Sequence, residues 1–295
     1  MRTMLLGMFL AACGSSGPST KEPPPASPAS SQRVAAPVAE AVPDAAIVHP
    51  PNTYADLAAA LAAIIPPDAR VVGFGEIHNR IDRANVKSAL FHFTAALPAF
   101  GAKYSDLVVE TWLVDPSCGQ KAVQATQKME TEVKRPEATK SEVALLADVA
   151  KAAGIKPHAM TITCADYDRL VKGGQADPVE MLTLTTRELK RIATSAVRYR
   201  DKQPEHRPWI AVYGGALHND RFPDPAVAEW SYAGAVDEAT KNHFIEIDLI
   251  VPELAAADDL SKKQPWYALV ESAGDRVAVH KRDDRSFVVV LPKTR

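Results

Sequence analysis

With three cysteines in 295 residues and aromatics at 6%, several architectures drop out at once. A disulfide scaffold needs far more cysteine. A stacking platform for single-stranded nucleic acid needs aromatic residues interleaved with basic ones, and no such run occurs. Charge of neither sign dominates: 34 Lys and Arg stand against 36 Asp and Glu, a formal net charge of −2. Without a basic field, nucleic acid is not an expected partner. Beyond the N-terminus no apolar run reaches the ~18 residues of a membrane helix, and there is no internal repeat.

What is present begins with an address. Met1-Arg2-Thr3 gives a short positive start, and Met4 to Ala12 is apolar but too short to span a bilayer. "LAAC" then sets Cys13 behind small residues. This resembles a bacterial lipoprotein box, in which the cysteine is lipidated and becomes the new N-terminus. The alternative is an ordinary signal peptide cut nearby. Residues 14–52 hold nine of the chain's 23 prolines, with much Ser and Ala. Such a stretch has too little apolar surface to offset ordering entropy and is expected to be a disordered tether. Together these predict a bacterial cell-envelope protein, lipid-anchored and facing the periplasm or the cell surface. The anchor is its expected membrane contact. In an oxidising envelope Cys118 and Cys164 can pair, with two buried free thiols as the alternative.

Residues 53–295 read as a single α/β domain. "TYADLAAALAAIIPPDA" predicts a helix capped by Thr53 and stopped by Pro66-Pro67. "RVVGFGEIH" is a strand with an apolar run suited to burial on both faces. From Arg80 a helix is expected, with Ile81, Val86, Leu90, Phe93 and Leu97 on one stripe. "SDLVVETWLV", "IKPHAMTITC", "RPWIAVYGGALHND" and "HFIEIDLIVPE" are further strands. Helices are predicted over "SEVALLADVAKAAG", ending at Gly154, and over "DPVEMLTLTTRELKRIATSAVRYRDKQ". The stretch from "WYALVES" to "SFVVVLP" reads as short strands joined by tight turns. The predicted fold is therefore a mostly parallel sheet flanked by helices on both faces, with a C-terminal antiparallel meander at one edge.

Ligands of open parallel sheets bind beyond the carboxyl ends of the strands. There the first strand offers Glu76 and His78, two apart and so able to face one crevice. The second offers Glu110, and the fourth offers His218, in a Gly-x-x-His that repeats Gly75-x-x-His78. Asn79, Tyr213 and Asn219 are secondary polar candidates. Imidazole and carboxylate suit a divalent metal such as Zn, Mn or Co, which would lower the pKa of a bound water. Without metal, Glu76 can orient His78 to activate water directly. A histidine can also ligate haem. Each residue taken alone also fits a cap or an ion pair.

Gly-Glu-x-His after a first strand, a Glu after the second and a later Gly-x-x-His resemble the superfamily of erythromycin esterases, ChaN-type haem-uptake proteins and TraB/TIKI proteins. The resemblance spans roughly residues 54 to 250. "GFGEIHNRIDRANVKSALFHF" looks most like the ChaN-type start, which implies an envelope lipoprotein that binds haem without turnover. The paired Gly-x-x-His motifs look like TIKI-type proteins, which implies a metal-dependent hydrolase acting on a peptide. Erythromycin esterases carry Gly-Glu-x-x-His, so this chain departs from the macrolide-esterase pattern by one residue. The resemblance leaves a small molecule, haem or a peptide as ligand, and a catalytically inactive scaffold as a further outcome.

Overall fold

The structure, a computed structural model, describes residues 52–294. The lipoprotein box with Cys13 and the proline-rich stretch up to residue 51 lie outside the described residues.

In chain order the strands are β1 (Asn52–Tyr54), β2 (Val71–Glu76), β3 (Tyr104–Trp112), β4 (Lys156–Met160), β5 (Val171–Lys172), β6 (Gln175–Ala176), β7 (Trp209–Gly215), β8 (Phe244–Ile250), β9 (Val277–Asp283) and β10 (Ser286–Val290). The α-helices are α1 (Leu57–Ile64), α2 (Ala89–Phe100), α3 (Gly119–Val133), α4 (Ala138–Ala152), α5 (Cys164–Leu170), α6 (Pro178–Arg200), α7 (Ala233–Ala239), α8 (Pro252–Ala256) and α9 (Tyr267–Glu271). Eight strands form one sheet in the order β1-β9-β10-β8-β2-β7-β3-β4, and β5 and β6 form a small hairpin apart from it. From β10 to β4 every neighbour is parallel, while β9 runs antiparallel to both β10 and β1.

Every residue of β2, β7 and β8 is buried, which is why their sequences are near-continuous apolar runs. Leu61 of α1, Leu90 and Phe93 of α2 and Leu146 of α4 cover one face. Leu189 and Ala193 of α6 and Val236 of α7 cover the other. A satellite core joins α3, α5 and the start of α6 through Ala122, Met129, Tyr167 and Leu184. There Cys118 and Cys164 form a disulfide, tying the segment before α3 to the first residue of α5. Among the described residues no helix is long and apolar enough to cross a membrane.

Three expectations need correction. Thr53 lies in β1, opposite Ala278 of β9, and the first helix is capped instead by Asp56, which accepts from the Ala59 amide. The helix expected from Arg80 starts only at Ala89. Ser88 caps it by accepting from the Phe91 amide, and Ile81 lies in a separate 3-10 turn with its side chain 64% exposed. "WYALVES" is not a strand but contains α9, because Trp266 and Val270 pack onto the sheet face beside Ile250 and Val288. The antiparallel edge is thus the β9–β10 hairpin with β1 added outside it. Gly154 does follow the Ala153 C-cap of α4, in the left-handed conformation that ends helices.

The two cysteines of the disulfide are separated by 46 positions in sequence. By loop entropy, losing it costs about 4 kcal/mol. A Cys118→Ser/Cys164→Ser protein is expected to unfold in urea with a free energy lower by about that amount. Unchanged stability would show that the satellite core holds without the covalent tie.

Candidate active site

Parallel register brings the candidate residues level. Glu76 at the end of β2 pairs with Gly215 on β7, and Val109 on β3 pairs with Tyr213, so Glu110 falls beside Gly214. Glu76 and Tyr213 point to the α2 face. Glu110 and His218 belong to the α6 face, so the cluster wraps the carboxyl edge of the sheet from both sides.

Glycines make the room. A Cβ on Gly214 would lie 2.7 Å from Glu110 Oε2, and one on Gly215 would lie 2.9 Å from His78 Nε2. A Cβ on Gly75 would meet Asp248 Oδ1 at 2.5 Å, Asn219 Oδ1 at 2.6 Å and the Ala216 Cα at 2.7 Å. The glycines that punctuate these strands are therefore spaces for polar side chains rather than turns.

Glu76 is buried, and each of its oxygens has a partner. The Tyr213 hydroxyl donates to Oε2 at 2.6 Å, and His78 Nδ1 lies 2.8 Å from Oε1. The other nitrogen of His78, Nε2, receives a hydrogen bond from Arg135 Nη2 at 2.8 Å and lies 3.4 Å from Glu110 Oε1. An arginine nitrogen only donates, so Nε2 presents its lone pair and Nδ1 donates to Glu76. Arg135 Nη2 also donates to Glu110 Oε1 at 3.2 Å, and the Gly215 amide donates to Glu110 Oε2 at 2.5 Å.

Burial disfavours a charged His78 and Arg135 adds to that, yet Glu110 and Glu76 outweigh both, and its pKa is raised. Burial would push the Glu110 carboxyl up, but His78, His218 and Arg135 hold it far below the usual carboxylate range. Burial and the facing Glu76 push the Tyr213 phenol well above its usual range. His218 is almost fully buried, which lowers its pKa and keeps it neutral. Its Nδ1 lies 2.9 Å from the Trp230 carbonyl, an acceptor only, so Nδ1 carries the proton. Thr186 Oγ1 of α6, also 2.9 Å away, fixes the same nitrogen.

The structure thus brings Glu76, His78, Glu110 and Tyr213 into one bonded group, with His218 close enough to act on Glu110 electrostatically. The other two candidates stand apart from it. Asn79 staples its own loop, donating to the Val86 carbonyl at 2.9 Å and accepting from the Arg80 amide. Asn219 donates to the Gly73 carbonyl at 3.1 Å, beneath the strands. Sequence reasoning missed Arg135. It follows α3, whose last cap is Lys134 with φ of 53°, in a stretch with no strand-end pattern. The Lys134-Arg135-Pro136 triplet marks a helix end but gives no sign of a site.

As placed, these side chains do not fit a divalent metal or a haem iron. Among the described residues no group of three or more His, Cys, Asp or Glu side chains is arranged around a common point. The Arg135 guanidinium already sits against His78 Nε2 and Glu110 Oε1, the two atoms a cation would use. The surroundings of His78 Nε2 are charged and close rather than broad and apolar, as a porphyrin face would need.

Gly75→Ala is expected to disturb this group from behind, because one neighbour of the new Cβ is backbone. The expected cost is about 1–3 kcal/mol in a urea titration, with bond geometry at Glu76 lost with it. A protein as stable as the parent would show that the strand ends can shift apart without penalty.

No family model and no curated protein matches the chain. Among solved structures, one described as "The structure of the type III effector HopBA1" is similar over 80% of this chain and 93% of that one, at 14% identity and a TM-score of 0.39. A likeness that slight bears on neither fold nor function.

Proposed function

We propose that this edge is the active site of a metal-independent hydrolase, in a lipid-anchored protein of the bacterial cell envelope, that cleaves an ester or amide bond. The observation that carries the reading is the Glu76–His78–Arg135 chain of contacts. Glu76 holds the proton on Nδ1, which leaves Nε2 basic and facing Arg135. His78 and Arg135 are both part-exposed, with side-chain exposures of 26% and 24%, so the pair borders on solvent.

The chemistry follows from those positions. Arg135 holds the Nε2 lone pair in the unliganded site, so the guanidinium must first turn from Nε2 to the substrate's carbonyl oxygen. A water beside the freed Nε2 then gives His78 a proton as its oxygen attacks the carbonyl carbon. Glu76 accepts the hydrogen bond of the resulting imidazolium and steadies its charge. The carbonyl oxygen becomes an oxyanion, and the Arg135 guanidinium is the cation beside it. His78 then returns the proton to the leaving alkoxide or amine as the carbon–oxygen or carbon–nitrogen bond breaks. Glu110 anchors Arg135, and Tyr213 keeps the second oxygen of Glu76 from turning away.

A screen of p-nitrophenyl esters and peptide anilides tests this. His78→Ala and Glu76→Gln are each expected to lower kcat/KM by about 100-fold or more, with the fold retained by circular dichroism. Turnover that survives both variants, or depends on added metal, would overturn the reading.

The base must be unprotonated to act, so kcat/KM should fall as pH drops through the pKa of His78. That pKa is raised, which puts the acid limb above 6.5, the ordinary histidine value. Arg135 opposes protonation of His78, so Arg135→Gln should move the limb to still higher pH as well as slow the reaction. A limb that stays fixed in Arg135→Gln would mean that another group sets it.

A further inference from the structure

We infer that the cavity at the amino end of the sheet binds a phosphate group, carried by a small soluble phosphomonoester. It lies at the end of the strands opposite the Glu76–His78 group, so it stands or falls separately from the hydrolytic reading.

A cavity of about 280 Å³ opens there. That is just under the usual small-molecule range and suits a phosphate on a small carrier. Its walls are not the strands themselves. Arg70 comes from the position before β2, Arg200 and Asp201 from the end of α6, and His206 and Arg207 from the loop that enters β7. Three arginines thus line one small space against a single acid, Asp201.

Long side chains lose much rotamer freedom on ordering, so a binding site gains from arginines already held. Here each is pinned by part of its guanidinium. Arg70 Nη2 donates to Asp201 Oδ1. Arg200 Nε donates to Asp106 Oδ2 at 2.6 Å, and Asp106 is not part of the lining. Arg207 Nη1 donates to the Ala153 carbonyl at 2.8 Å and to the Tyr104 carbonyl at 3.3 Å. Two of the three arginines therefore have carboxylate partners. Arg207 does not, since among the described residues it bonds only neutral carbonyls. The charge left over in the lining is its own, and it is positive. Its Nε and Nη2 make no hydrogen bond among the described residues, nor do Nη2 of Arg200 or Nε and Nη1 of Arg70. Such nitrogens are a guanidinium's means of gripping an oxyanion.

The number of walls selects the anion. A carboxylate offers two oxygens in one plane, whereas a phosphate monoester offers three around a tetrahedral centre. Three guanidiniums from three segments of chain match the second. No large apolar side chain lines the cavity, so nothing there favours a lipid tail.

Calorimetric titration of the full chain with phenyl phosphate, inorganic phosphate and benzoate tests this. Both phosphates are expected to bind, and benzoate at least ~10-fold more weakly, the worth of one charge-assisted hydrogen bond. Arg207→Gln should weaken phosphate binding by ~10-fold or more. That variant also releases two backbone carbonyls, so Asp201→Asn supplies a change of opposite sign. It removes the acid of the lining and should tighten phosphate binding about 3-fold, a gain that unfolding cannot produce. No binding of either phosphate, or benzoate bound as tightly, would overturn the proposal. So would an affinity that Arg207→Gln leaves unchanged or that Asp201→Asn does not raise. Binding lost in Arg135→Gln but kept in Arg207→Gln would move the ion to the carboxyl edge and overturn it as well. Vesicles of phosphatidylcholine with and without phosphatidate distinguish the source. Displacement of phenyl phosphate by the phosphatidate vesicles alone would make the carrier a lipid and overturn the soluble assignment, whereas no displacement by either supports it.

Discussion

Two carboxylates, Glu76 and Glu110, are buried at the carboxyl edge of the parallel sheet, and most other features of that edge compensate them. An unpartnered buried carboxylate costs several kcal/mol even after relaxation. Glu76 is compensated by His78 and the Tyr213 hydroxyl, and Glu110 by the Gly215 amide and Arg135. These partners come from β7, from the loop after β2 and from the loop after α3. The glycines at 75, 214 and 215 then follow as a steric consequence, since a methyl group at any of them would occupy the space of a polar side chain or of its neighbour.

The opposite end of the sheet shows the same residue types without this tension. Asp106, near the start of β3, is bound by His158 Nε2 at 2.8 Å, Arg200 Nε at 2.6 Å and Ser105 Oγ at 2.7 Å. Burial opposes its charge, yet these donors hold its pKa well below the usual range. One acid faces one guanidinium, and every donor points the same way. That arrangement clamps α6 and β4 to the sheet. At the carboxyl edge two acids share one guanidinium, and His78 Nε2 lies between a carboxylate and a cation. Its protonation is pulled both ways, and the carboxylates prevail, raising its pKa. Position separates the two ends as well, because the crevice of an open parallel sheet lies outside the carboxyl ends of its strands.

Much of this was legible in the chain. Apolar runs that stop at Gly-Glu, Glu or Gly-Gly mark buried parallel strands, and the rule about their carboxyl ends points to Glu76, His78, Glu110 and His218. Register then does what sequence cannot, by setting Glu76 level with Gly215. Asn79 and Asn219 bond outside the Glu76–His78 group, because adjacency in sequence does not fix direction. One bonds its own loop and the other turns under the sheet. Ile81 and Val86 extend an apolar stripe that suggests an earlier start for the helix after β2, but the Ser88 cap sets its start at Ala89. A local side-chain bond at an N-terminus outweighs a weak periodicity. The strand reading of "WYALVES" failed for the converse reason, since packing of Trp266 and Val270 overrode a local preference for extended structure.

Arg135 was illegible for a more general reason. Its place is set by contacts distant in sequence rather than by its neighbours. The disulfide fixes the segment that starts α3, and Lys134 ends that helix in a left-handed turn. The Lys134 carbonyl then takes the amide of Ile81. The guanidinium therefore reaches His78 from a loop held by a backbone bond, at the far end of a helix whose start is tied covalently. Loops are where a fold tolerates change, so a cation carried there needs such ties to hold angstrom-scale geometry.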